Sequence, residues 1–105
     1  MVARFDVYLI NLDEKFSDDP KNTRPAVVVS PDELNRHVAT AIVAPLSSTR
    51  AAYPTRLPVE FLNEKRYVIL DQLQTVDKPR LVKKIGELDK DSCEKITGLL
   101  IEMFS

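Results

Sequence analysis

Thr23-Arg24-Pro25-Ala26-Val27-Val28-Val29-Ser30-Pro31 runs directly into Asp32 and Glu33. Four consecutive small or β-branched apolar residues read as a buried strand, because branched side chains suit a pleated, packed surface. Pro25 has no N–H to donate, so it belongs at the first position of that strand or on a sheet edge. Arg24 then stands at the mouth of a core strand, with rigid backbone on its C-terminal side. Two readings follow for it: a functional cation, or a surface residue that caps the strand and pairs with a nearby acid. The end of the stretch is a helix start, with Ser30 as N-cap, Pro31 in the first helical position and two acids in the first turn.

Before this stretch, residues 5–12 form a strand with apolar groups on both faces. The ten residues 13–22 are a polar loop without glycine, in which Asn22 is suited to a left-handed conformation. A connection of that length is often functional. After a short helix ending near Arg36, residues 40–46 form a third strand, interrupted or ended at Pro45. Ser47-Ser48-Thr49-Arg50 is a hydroxyl-rich loop. Residues 55–60 read as an edge strand, given Pro54 before it and Pro58 within it, residues 63–65 as a turn, and residues 67–73 as a strand carrying Asp71 and Gln72. Residues 74–77 continue as strand or turn, residues 78–80 turn the chain, and residues 81–87 form a last strand. Asp89 caps a final helix over residues 90–104. There Ile96, Leu99, Leu100, Met103 and Phe104, with Cys93 one turn earlier, make one apolar stripe for packing on the sheet. Short strands, frequent turns and a terminal helix predict a mostly β fold with α: a small SH3-like barrel, or curved antiparallel sheet, carrying a C-terminal helix.

The 105 residues suit a single domain, residues 1–105, able to bury a core unaided. One Cys and one His leave no internal disulfide, no Cys/His zinc cluster and no two-histidine acid/base pair. This usage fits a reducing cytoplasm, and no apolar run is long enough for a signal peptide or a bilayer span. Net charge is −1, but it is unevenly spread: −3 over residues 1–35, +5 over residues 36–85 and −3 over residues 86–105. A positive middle can face an anion such as a nucleic-acid backbone, or can be ordinary surface charge.

Four blocks in register carry a family resemblance: Thr23 to Ser30 with Asn35-Arg36, then Ile42-Val43-Ala44-Pro45-Leu46-Ser47-Ser48, then Leu70 to Leu81, then Lys84-Ile85-Gly86. Together they resemble the MazF/PemK toxins of bacterial toxin–antitoxin pairs over nearly the whole chain. The resemblance implies a small MazF/CcdB/Kid-like barrel with a C-terminal helix, a homodimer, and metal-independent cleavage of single-stranded RNA without a cofactor. It also implies neutralisation by a cognate MazE/PemI-like antitoxin, and operator DNA binding only together with that antitoxin.

Cleavage by attack of the 2′-OH on the adjacent phosphate needs a base, help for the departing 5′ oxygen, and donors around the phosphate. The resemblance gives Arg24 the phosphate-stabilising role, which suits the planar guanidinium. Ser47 falls where some relatives carry a catalytic Thr; it is otherwise a turn residue. Ser48 and Thr49 are the substitutes if the loop shifts by one. Asp71 matches an Asp proposed as base in one branch of the family. It is otherwise the acceptor of a structural hydrogen bond, from a loop or from Arg24, within an apolar strand. Asp19 matches a glutamate of other members, and could be a base, orient Arg24 or be solvated. Arg36, Arg50, Arg56, Lys78, Arg80, Lys83 and Lys84 are candidates for RNA-backbone contacts, and Tyr53 for stacking a base. His37 is a surface residue.

Departures from the family pattern lie near the start, where Arg4-Phe5-Asp6 replaces Arg-Gly-Asp, in the loop over residues 17–22, at Gln74 where an Arg is usual, and at Ile69, where the Asp-base branch has Arg. The second functional class is a non-catalytic MazF/CcdB-like protein that binds antitoxin and operator DNA or poisons gyrase. The Met103-Phe104 ending faintly resembles CcdB, but the chain has no Trp for a gyrase contact of that kind.

Overall fold

The valine run divides its side chains between two cores. In a computed structural model describing residues 2–11, 23–48 and 55–105, strand β2 (Thr23–Val28) lies between β1 (Asp6–Asn11) and β3 (Thr40–Ser47). Val27 and Val29 pack on one face with Val7, Leu46, Phe61, Val68, Leu70 and Ile96. Ala26 and Val28 pack on the other with Ile10, Val43 and Val76. Alternation along a strand sends neighbours to opposite faces, so a strand covered on both faces reads as an unbroken apolar run.

The remaining strands are β4 (Arg56–Phe61), β5 (Glu64–Ile69), β6 (Gln74–Asp77) and β7 (Leu81–Glu87). The paired order is β4-β5-β3-β2-β1-β7, with β6 also on β3, and every pairing is antiparallel. Strand β3 changes partners along its length: its first half pairs with β6, its middle with β2, and Leu46 and Ser47 with β5. This curls the sheet into a half-barrel, the second of the two expected forms, a curved antiparallel sheet rather than a closed barrel. Helix α2 (Lys90–Phe104) packs Ile96, Cys93, Leu99, Leu100 and Met103 against the first core, and burial there pushes the Cys93 thiol pKa up. Among the described residues no helix is long and apolar enough to cross a membrane.

Several local readings need correction. Ser30 is not the cap of helix α1 (Asp32–His37); Pro31 holds that position. Ser30 is buried instead and stitches the helix to β3: its hydroxyl donates to Asn35 Oδ1 (2.6 Å), Asn35 Nδ2 donates back to its carbonyl (2.9 Å), and Ile42 N–H donates to its Oγ (3.1 Å). Pro25 is the third residue of a strand that lies inside the sheet, not its first. It is tolerated because the β2–β3 ladder begins only at Ala26. Strand β3 runs through Pro45 rather than ending there. The turn expected at residues 63–65 is the two-residue hairpin Leu62-Asn63, both at positive φ (51° and 63°), and Glu64 and Lys65 already belong to β5. The strand expected over residues 67–73 breaks at Ile69 into a 3-10 turn, Leu70–Gln72. Phe104, assigned to the packed stripe, is 71% exposed.

Candidate functional site

The two prolines of the sheet interior build the site. Pro45 faces Ala26, and Pro25 is one step further along the same seam. Neither has an N–H for a ladder, so the β2–β3 pairing stops there. Extending the register by two residues sets Arg24 opposite Ser47. A cavity of about 400 Å³ opens at this seam, walled by Pro25, Pro45, Leu46 and Ile69. Its polar lining is two cations, Arg24 and Arg66, and two hydroxyls, Ser47 and Ser48.

Arg24 is exposed, and its guanidinium donates to the Thr23 carbonyl at 3.0 Å. Ser47 is half-buried and Ser48 exposed at the end of β3. A planar guanidinium and adjacent hydroxyls form a donor set suited to a phosphate's oxygens. Arg66 was not singled out by sequence reasoning. It sits on β5 with its side chain 29% exposed and its guanidinium 2.6 Å from the Glu64 carboxylate. One signal could have found it: like Arg24, it is an arginine immediately before an apolar run, here Tyr67-Val68-Ile69-Leu70.

Asp71 does not line this cavity. It lies on the surface in the 3-10 turn, so its carboxylate is solvated and not held within an apolar strand as expected. Its carboxylate accepts from the Thr55 hydroxyl at 2.9 Å and lies 3.6 Å from Arg56 Nε. The Thr55 hydrogen bond first, then the Arg56 charge, hold its pKa below the usual carboxylate value. The loop over residues 13–22, with Asp19 and Asn22, and the residues Thr49, Arg50 and Tyr53 lie outside the described residues.

Most other candidate cations are engaged within the fold. Lys78 donates to the Asn35 carbonyl, bracing the end of α1. Arg80 donates to the Asn11 carbonyl at 3.2 Å. Lys84 lies 3.2 Å from Asp6, which is buried, and 3.9 Å from Glu87; the Asp6 contact pushes the Lys84 pKa up. Arg36 is exposed and donates to the Asp32 carbonyl at 3.3 Å. Lys83 is exposed on β7. None of these lines the Arg24 cavity. His37 ends α1 at the surface.

A larger cavity, about 960 Å³, lies between the β4–β5 hairpin and the start of α2. There Glu60, Asp89 and Asp91 outnumber Lys65 and Lys95, and Lys95 is paired with Asp91 at 3.1 Å. It presents no net cation to an anion, so its size does not make it the better candidate. Among the described residues no group of three or more His, Cys, Asp or Glu side chains is placed to hold a metal ion.

The sequence profile of the PemK-like, MazF-like toxins of type II toxin–antitoxin systems matches residues 3–104. Endoribonuclease EndoA of Bacillus subtilis (strain 168) is 33% identical, the match covering 95% of this chain and 91% of EndoA. A mycobacterial endoribonuclease, solved in complex with its cognate antitoxin, superimposes with a TM-score of 0.82 at 26% identity, covering 97% of this chain and 93% of that one. A MazE–MazF structure from Deinococcus radiodurans shares the fold with a TM-score of 0.79 at 20% identity, over 99% of this chain and 95% of that one.

Proposed function

This chain belongs to the PemK-like, MazF-like toxin family of type II toxin–antitoxin systems, and on that premise we propose that it is an endoribonuclease cutting single-stranded RNA through its own side chains, without a metal. The observation that carries the reading is the cavity at the β2–β3 seam, where Arg24 meets Ser47 and Ser48. The endoribonuclease relatives support the same activity.

In this reading the 2′ oxygen attacks the adjacent phosphorus and the P–O5′ bond breaks. A 2′,3′-cyclic phosphate and a 5′-OH result. The 2′ proton passes to a base, for which Asp71, which stands outside the Arg24 cavity, and Asp19 are the two candidates, and the departing 5′ oxygen takes its proton from water. Negative charge gathers on the phosphate oxygens in the transition state, and Arg24 and the Ser47 hydroxyl stabilise it there. The antitoxin-bound mycobacterial relative supports a cognate antitoxin as partner. The working unit is a homodimer, and operator DNA is bound only with the antitoxin.

The test is incubation of the purified protein with long single-stranded RNA in EDTA, followed by mapping of the ends. Discrete cuts bearing 2′,3′-cyclic phosphate and 5′-OH are expected. Arg24→Ala should lower the rate by about 10²- to 10³-fold, the usual effect of losing one transition-state donor. Intact RNA across varied sequences, with an antitoxin still bound tightly, would replace this reading with a non-catalytic one.

A further inference from the structure

We propose that Arg66 is a second phosphate-binding residue of the Arg24 cavity, held by Glu64 in the RNA-free protein and passed to a backbone phosphate when an RNA strand enters. The assignment rests on the endoribonuclease reading. Arg24 on β2, Ser47 and Ser48 at the end of β3, and Arg66 on β5 come from three strands adjacent in the sheet, and all line one cavity. Ser47 pairs with Tyr67, so the next step of that register sets Ser48 beside Arg66. The two arginines therefore flank the hydroxyls from opposite sides. Single-stranded RNA carries one phosphate per nucleotide, so such a pair can hold the cleaved phosphate and its neighbour.

The state of the Arg66 side chain points the same way. Its Nε is buried and, among the described residues, has no hydrogen-bond partner. A buried donor of that kind calls for an acceptor. A guanidinium offers five N–H donors in a fixed fork, which suits the paired oxygens of a phosphate. The Glu64 side chain is 66% exposed. It can swing into water at little cost, because exposed ion pairs are weak. Glu64 thus competes with RNA for the same cation.

Arg66→Ala, Arg66→Lys and Glu64→Gln can be compared on mixed-sequence single-stranded RNA, and on the same pool fully 2′-O-methylated so that it cannot be cut. Arg66→Ala should raise KM several-fold with kcat little changed, and its log–log salt slope for the methylated pool should be shallower by about 0.7. Arg66→Lys, which keeps the charge, should recover the salt slope. Glu64→Gln should tighten binding several-fold. Loss of cleavage in Arg24→Ala alongside wild-type KM and salt slope in Arg66→Ala and Glu64→Gln overturns the assignment alone. If the wild type neither cuts nor binds RNA, the functional reading and this assignment fall together.

Discussion

At Asp71 two neighbours compete with catalysis for one carboxylate. Thr55 donates to it and Arg56 stands close by, so its pKa is depressed. A group whose folded-state pKa is depressed adds stability above its ordinary value, about 3.9 for Asp. That stability is lost as pH falls through the folded-state value. Asp71→Asn should therefore be less stable than wild type near neutral pH, with the two converging in strong acid; melts from pH 2 to 7 check this. The same shift leaves Asp71 ionised but weakly basic at neutral pH. If it takes the 2′ proton, kcat/KM holds its value through the neutral and mildly acidic range and falls only below the ordinary carboxylate pKa, because the Asp71 pKa is depressed. An acid limb near neutrality would move the role to another group. Phe5 is a second residue under constraint. Its φ of 71° lies in the left-handed region, where a bulky side chain is strained. The related pattern has Gly there. Here the half-buried ring packs on the main core beneath the Arg4 guanidinium, 4.9 Å from its centroid.

Among the elements, β3 carries most of the organisation, because its change of partner at Pro45 opens the cavity. Helix α2 is simpler. At 100° per residue Phe104 lies roughly 80° from the direction of Ile96, at the stripe's margin, and Ile101 lies further round. Both are exposed, at 71% and 63%. Gly98 lies on the exposed side of the same helix, and a Cβ there would meet nothing within 4 Å. Gly98→Ala should stabilise the protein by about 0.5–1 kcal/mol, through helix propensity alone. Urea unfolding measures it, and an unchanged or lowered midpoint would contradict it.

Across the whole molecule, the curl of the sheet brings together strands that stand at opposite ends of the pairing order. Phe61 on β4 lies over Gly86 on β7, and a Cβ at Gly86 would come within 2.9 Å of the ring. Ring and backbone close the half-barrel without a ladder between them. Gly86→Ala should cost about 1–3 kcal/mol by overpacking. Adding Phe61→Leu should return part of that cost if the contact is the cause, which a double-mutant cycle in urea would show. Glycine is needed here for close approach rather than for its backbone freedom, since Gly86 does not adopt positive φ.

The β2 valine run, the α2 stripe around Ile96, the order of strands along the chain and the family pattern through Arg24 and Ser47 are legible in the residues alone. These are local signals: periodicity of apolar side chains and short motifs need no knowledge of what lies opposite. The folded sheet is needed to see that the prolines at 25 and 45 stand side by side and end a ladder, and that Asp71 leaves its strand and binds Thr55. The same holds for Lys78, Arg80 and Lys84, which bond within the fold, and for Arg66, which joins Arg24 in one cavity. Each of these depends on cross-strand register between distant segments. Register follows from how the whole sheet pairs and curls, and the residues on either side of a single strand do not encode it.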